Sequence, residues 1–311
     1  MVPGDPLPLA AWGAASGTTP LIRLPWPLDS IQRVPPNRSK PIAHVGHAGA
    51  LSLPLKPDVG PWLDSSWMRV AALSDIHGNL PALEAVLAQI TREAPDLVVF
   101  CGDVASGPLP VETLNLLMAL PDARFLHGNA DRSLVAAFDG SARPRLAGPA
   151  ADWCAAQLSK EHRDFLASFP ADVRLEIDGL GRVLFCHGSP RGDEEIMTAA
   201  TSEGRLHEMT AGSDAGVIVC GHTHMQFDRV VDGVRIVNPG SVGMPYGEPG
   251  AFWALLGPDV DFQRTNYNRE SAAARIATSS WPDAPAFARD NVLSVPSAAE
   301  AMNFFRKHGG P

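Results

Sequence analysis

The stretch Met68-Arg69-Val70-Ala71-Ala72-Leu73-Ser74-Asp75-Ile76-His77-Gly78-Asn79 decides how the rest of the chain is read. Val70 to Ser74 is a short apolar run, the length of a buried strand. Asp75 and His77 lie two residues apart, so on an extended chain they project to the same side. Gly78-Asn79 then turns into Leu80 to Ile90, where Leu83, Val86, Leu87 and Ile90 recur at helical spacing. A strand that ends in polar side chains and runs into a helix is the opening unit of a parallel α/β sheet. In such sheets ligands bind beyond the carboxyl ends of the strands.

The unit repeats downstream. Leu97 to Cys101 reads as a second strand, ending in Gly102-Asp103, and Val111 to Leu120 as a second helix. Arg124 to His127 reads as a third strand, ending in Gly128-Asn129-Ala130-Asp131. This β-α-β-α-β rhythm predicts parallel strands joined by right-handed crossovers. Helices follow around Asp152 to Ser159 and Glu161 to Ser168. Val173 to Ile177 and Arg182 to Cys186 form a hairpin across Asp178-Gly179-Leu180-Gly181, and Cys186 leads into His187-Gly188. Val217 to Cys220 is an apolar strand that leads into Gly221-His222-Thr223-His224. Phe227 to Val231 and Val234 to Val237 are joined by Asp232-Gly233, a strong two-residue hairpin signal. Ala251 to Leu256 and Asp261 to Tyr267 add two strands, and the tail carries helices near Glu270 to Thr278 and Ser297 to Phe305. Strands in both halves predict an α/β fold: a two-sheet β-sandwich flanked by helices.

Composition changes near residue 67. The preceding segment is crowded with proline and keeps no helical or strand period. Such a segment buries too little apolar surface to offset its ordering entropy, so residues 1–67 are expected to be a disordered extension. His44 and His47 within it read as part of a solvated tail. Met68 opens the first strand as abruptly as a protein's own N-terminus, so the extension is expected to be a translated upstream stretch. Residues 68–311 then form the folded domain.

Of 311 residues, 45% are hydrophobic, enough for one large core. The formal charge of −9 argues against non-specific binding to nucleic acid or anionic membranes. It leaves room for a small phosphorylated substrate, because a metal site sets its own local charge. No apolar run reaches the length of about 18 residues that a membrane span needs. No basic n-region with a continuous apolar h-region opens the chain. Cys101, Cys154, Cys186 and Cys220 make no C-x-x-C pair and read as buried reduced thiols, which points to the cytoplasm. The oligomeric state is open.

Leaving Asp131 aside, the strand ends deliver two carboxylates, one amide and four imidazoles: Asp75, His77, Asp103, Asn129, His187, His222 and His224. Singly these are weak signals. Gly128-Asn129 also fits an ordinary turn, and His187 also fits a hydrogen-bonded residue at a strand end. Two imidazoles spaced as in Gly221-His222-Thr223-His224 are less common without a ligand. Together the residues are about what two adjacent divalent metals need, and two such metals form a clamp for hydrolysing phosphate esters. The mixed N and O donors suit Mn, Fe, Zn, Co or Ni.

The ordered set D-x-H, G-D, G-N-x-D, H and G-H-x-H resembles the calcineurin-like metallophosphoesterase superfamily over residues 68–267. Asn238-Pro239-Gly240-Ser241-Val242-Gly243 resembles its small prokaryotic phosphodiesterase branch. The resemblance implies that one metal takes Asp75, His77, Asp103 and His224, and the other Asp103, Asn129, His187 and His222. Asp103 then bridges, and Asp103 and His222 take part most directly in catalysis. Two divalent ions, set against Asp75, Asp103 and a hydroxide, leave the site about +1 and attractive to phosphate. Asn79 and Arg191 are candidates to meet the phosphate.

One position departs from the pattern. Monoesterases of the family commonly read G-N-H-D, with the His placed to protonate the leaving group, but this chain has Ala130. General acid help is worth about 10²–10⁴-fold, so poor leaving groups suffer most without it. The resemblance therefore favours phosphodiesters or activated esters. A phosphomonoesterase, protein phosphatase or dinucleotide polyphosphate hydrolase of the superfamily is the alternative, and a non-catalytic scaffold of the same fold is another. His127 is a candidate substitute acid, and Asp131 reads as a turn or helix cap.

Overall fold

The computed structural model describes residues 68–121, 123–141 and 150–308. The expectations for residues 1–67, including His44 and His47, lie outside them.

Two five-stranded sheets form the centre. The first runs β10-β9-β1-β2-β3, with β1 Val70–Leu73, β2 Leu97–Phe100, β3 Ala123–Phe125, β9 Ala251–Leu256 and β10 Val260–Thr265. Strands β1, β2 and β3 are parallel, while β9 pairs antiparallel with β1 and β10. The second runs β4-β5-β6-β8-β7, with β4 Val173–Ile177, β5 Gly181–Phe185, β6 Val217–Val219, β7 Phe227–Val231 and β8 Val234–Asn238. Here β5, β6 and β8 are parallel, and the outer strands β4 and β7 are antiparallel to their neighbours. The parallel strands of both sheets end in the predicted motifs.

Val70, Ala72, Val99 and Cys101 of the first sheet meet Val183, Phe185, Val219 and Val237 of the second in one buried layer. The alternate residues Ala71, Leu73 and Phe100 face outward beneath helices α1 Leu80–Glu93, α2 Pro110–Met118, α3 Asn129–Phe138, α4 Ala150–Gln157 and α5 Lys160–Ala167. Leu83, Val86 and Ile90 supply the buried stripe of α1, which was legible from their spacing. On the far face of the second sheet, Leu184, Ile218 and Ile236 pack with Leu206 and Met209 of α6 Glu203–Thr210. The tail adds α7 Arg269–Ala277, α8 Ala284–Phe287 with a π-helical continuation at Ala288–Leu293, and α9 Ala298–His308.

The expected sandwich flanked by helices is present. Three elements are additions to it: α3, α6 and α8. Gly128-Asn129 opens α3 rather than making a bare turn, because Asp131 accepts a hydrogen bond from the Gly128 N–H at 3.0 Å. Among the described residues no helix is long and apolar enough to cross a membrane. All four cysteines are free and buried, and burial pushes the Cys101, Cys186 and Cys220 thiols up.

Candidate metal centre

The loops after β1, β2, β3, β5 and β6 converge at one edge of the sandwich. The first sheet supplies Asp75, His77, Asp103 and Asn129, and the second supplies His187, His222 and His224. The ligand atoms fall into two clusters, Asp75 with His77 and His224, and Asp103 with His187 and His222. Within each cluster they lie within 4.8 Å of one another. Asp103 Oδ2 sits between the clusters, 3.4 Å from His187 Nε2 and 3.7 Å from His77 Nε2. Its other oxygen, Oδ1, accepts the Ala130 N–H at 2.8 Å. One carboxylate oxygen thus faces both clusters.

Three of the four imidazoles are anchored through Nδ1. Carbonyl oxygens only accept, so Nδ1–H of His77 donates to Ser106 O, that of His187 to Cys101 O at 2.7 Å, and that of His224 to Met244 O at 2.7 Å. This turns each Nε2 into the site, the orientation that metal-binding histidines take from their backbone partners. The consequence is that acceptors face acceptors. The Nε2 atoms of His77 and His224 are 3.3 Å apart, and His187 Nε2 is 3.2 Å from Asn129 Oδ1. Asp75 Oδ1 is buried with no hydrogen-bond partner, 3.3 Å from His224 Nε2. Protons or metal ions among these atoms would relieve the facing lone pairs.

Protons and metal ions compete for the same atoms. Burial opposes protonation of His187, but Asp103 and Asp75 outweigh it and push that imidazole up to about 10. Burial and the neighbouring His187 bring His222 down to about 4. Asp103 is held far below the usual carboxylate range against the cost of its burial, chiefly by His187 and His77. A metal that binds here displaces protons.

The backbone is strained where the ligands sit. Asp75, His77, Asp103, His222 and His224 have φ of 57°, 48°, 55°, 66° and 58°. Left-handed backbone at such residues costs of order 1–3 kcal/mol each and persists only where the surroundings enforce it. The enforcement is visible. Asp75 N–H donates to Gly102 O, His77 N–H to Asp103 O, and Gly243 N–H to Asp75 O. Ser241 Oγ donates to Asp75 O at 2.7 Å, and Asn238 Nδ2 donates to Gly221 O and Thr223 Oγ1. The Asn238 to Gly243 segment is therefore a brace across two ligand loops. A Cβ on Gly243 would stand 1.8 Å from Ile76 O, and one on Gly102 would stand 2.5 Å from Gly128 N.

Asp131 is more than a helix cap. Its carboxylate accepts the N–H groups of Asp103 at 2.7 Å, Val104 at 3.0 Å and Gly128 at 3.0 Å. It ties the second motif to the third.

Two expected substrate contacts have partners within the fold. Asn79 is fully buried, donates from Nδ2 to Gly243 O and accepts the Ala82 N–H, so both ends of its amide serve the fold. Arg191 pairs with Glu195 at 2.7 Å and donates to Glu208 O, and it is not among the residues that line the cavity. His127 also turns elsewhere, with Nδ1 3.2 Å from Asp193 Oδ2, a carboxylate that Arg132 clamps with two bonds. The sequence reading missed Glu194, Ile196, Tyr246, Phe304 and Phe305. They line a cavity of about 200 Å³ together with His77, Asp103, Asn129, His222 and His224.

This fold and site define a metallophosphoesterase-type centre. Residues 68–258 match the calcineurin-like phosphoesterase superfamily domain, and the chain belongs to that superfamily. It is 27% identical over 216 residues to phosphodiesterase YfcE of Escherichia coli strain K12, covering 68% of this chain and 98% of that protein. It is 25% identical over 232 residues to an uncharacterized protein of Methanocaldococcus jannaschii, covering 69% and 94%. Among solved structures, a metallophosphoesterase from Sphaerobacter thermophilus superposes with TM-score 0.57 at 28% identity, covering 73% of this chain and 99% of the other. A hypothetical protein from Pyrococcus horikoshii OT3 shares the fold, with TM-score 0.58 at 20% identity over 78% and 98% of the two chains.

Proposed function

We propose that this chain hydrolyses phosphate esters with two divalent metal ions and favours phosphodiesters or activated esters. The observation that carries the reading is the pair of His/Asp clusters on either side of Asp103 Oδ2. Asp75, His77, Asp103 and His224 would hold one ion, and Asp103, Asn129, His187 and His222 the other. When bound, such a pair supplies Lewis-acid stabilisation of the phosphoryl charge and a water-derived nucleophile near neutral pH. The protein's own part is positioning. Asp103 is fixed through Oδ1, His77, His187 and His224 through Nδ1, and Asp75 through the His222 N–H on Oδ2 at 3.0 Å. His222 lines the cavity beside Asp103. The N and O donors suit Mn, Fe, Zn, Co or Ni.

Ala130 supports the preference for diesters, since a methyl group cannot protonate a poor leaving group. Similarity to a phosphodiesterase is consistent with it. The size of the cavity and the net charge of −9 support a small phosphorylated substrate over nucleic acid. Four buried free thiols support a reducing compartment, the cytoplasm.

A phosphoester panel on metal-stripped protein, refilled with one metal at a time, tests this. Stripping should abolish turnover, and aryl diesters should outpace alkyl monoesters. Ala130→His should raise alkyl monoester turnover by about 10²-fold, the lower end of general acid catalysis. Activity that survives stripping, or an alkyl monoester turned over faster than an aryl diester by the unsubstituted protein, would refute the reading.

A further inference from the structure

We propose that Glu194 sets the specificity of this centre by accepting a hydrogen bond from a hydroxyl or ammonium group on the organic part of the phosphate ester. The inference rests on the phosphoesterase reading and adds the class of organic group.

Glu194 lines the cavity beside the ligand candidates, and its Oε1 is buried without a hydrogen-bond partner. Its two neighbours in the chain are engaged by the fold. Asp193 takes two bonds from the Arg132 guanidinium and faces Nδ1 of His127. Glu195 accepts from Ser189 Oγ and from the Arg191 guanidinium. Of three successive carboxylates, the middle one lines the cavity and keeps a buried oxygen unpaired. Buried polar atoms are nearly always paired, so an orphaned acceptor on a cavity wall calls for a donor. The loop after β5 holds the carboxylate there. Ser189 and Gly192 exchange backbone hydrogen bonds at 2.9 and 3.2 Å. The chain folds back so tightly that a Cβ on Gly188 would stand 2.6 Å from Gly192 O and 2.8 Å from Glu195 O. Ile196 is buried against Ala301 and Phe305 of α9, which pins the other end of the segment.

Chemistry and size narrow the reading. Asp103 is the other carboxylate of the lining and belongs to a ligand cluster, whereas Glu194 belongs to neither cluster. Three of the imidazoles spend Nδ1 on backbone carbonyls and turn Nε2 to the metal positions, so they offer Glu194 no donor. A carboxylate only accepts, so a partner brought by the substrate must be a hydroxyl or an ammonium. A further anionic group on the substrate would be repelled. About 200 Å³ is below the roughly 300–1,000 Å³ of drug-sized sites, which fits a phosphate with a short chain that carries its donor close to phosphorus.

Binding of phosphonates to the manganese-loaded protein, followed by calorimetry, tests the assignment without requiring turnover. At least one of 2-hydroxyethylphosphonate and 2-aminoethylphosphonate should bind about tenfold more tightly than propylphosphonate, which has the same length and no donor. About tenfold is the lower end of what a hydrogen bond to a charged group contributes. Glu194→Ala should bring that ratio close to one. Glu194→Gln preserves the shape and an acceptor oxygen but not the charge. It should keep part of a hydroxyl preference and lose an ammonium preference, which tells the two donors apart. A ratio near one for both compounds in the unsubstituted protein, or a ratio that Glu194→Ala does not move, overturns the assignment alone. Loss of manganese from Glu194→Ala, read by elemental analysis, would make Glu194 a metal ligand and also overturns it. Failure of every phosphonate to bind overturns both the assignment and the phosphoesterase reading.

Discussion

Asp103→Asn should lower kcat/KM on an aryl diester by about 10³-fold or more. Lewis-acid stabilisation is worth several kcal/mol, and each 1.36 kcal/mol is tenfold in rate. Asp103 is the residue on which both clusters depend, because Oδ2 lies within 3.7 Å of imidazoles from each. An amide at this position can keep an oxygen against the Ala130 N–H. It then presents a neutral NH₂ to both clusters, where a shared anionic oxygen is needed. Far-UV circular dichroism of the variant should match that of the unsubstituted protein, since the amide has nearly the same shape. Activity within tenfold would show that Asp103 is not the shared ligand.

Asp131→Ala should cost about 3 kcal/mol or more of stability. It leaves the N–H groups of Asp103, Val104 and Gly128 without their acceptor, and an orphaned buried donor costs about 1–3 kcal/mol. For a domain of this size that is a fall in Tm of roughly 6–12 °C, read by thermal melting. The same change releases the turn that aims Asp103, so metal affinity should also fall about 10–100-fold, as when a ligand's supporting partner is removed. Asp131→Asn keeps one acceptor oxygen and should recover part of both losses. A fall in Tm of less than about 2 °C for the alanine variant would reduce Asp131 to a surface-type cap.

The local part of this fold was legible from sequence. Apolar runs of strand length gave the sheets, and Asp232-Gly233 gave a two-residue hairpin whose φ of 50° and 80° are both positive. The candidate ligands were legible because each follows a strand, and strand ends are where such sheets gather their chemistry. What was not legible is mostly direction and distance. Asn79 stands four residues after Asp75, but whether its amide turns to a ligand or to Gly243 depends on a segment far along the chain. Arg191 follows His187 closely, yet Glu195 and Glu208 O claim its guanidinium. Helix α6 buries little more than Leu206 and Met209, too few apolar residues to announce a helix. The aromatic lining joins Tyr246 to Phe304 and Phe305, and no local period records such a meeting. Asp131 showed as the acid of a G-N-x-D motif, but its three backbone partners appear only when β2 and β3 lie side by side.

Metal content is the most direct test of the central claim, that Asp103 joins two metal positions in one centre. The protein is loaded with manganese, dialysed and measured by elemental analysis alongside Asp103→Asn. The account predicts two ions per chain for the unsubstituted protein and a loss from both positions in the variant. One ion or none per chain, or two ions retained by Asp103→Asn, would contradict it.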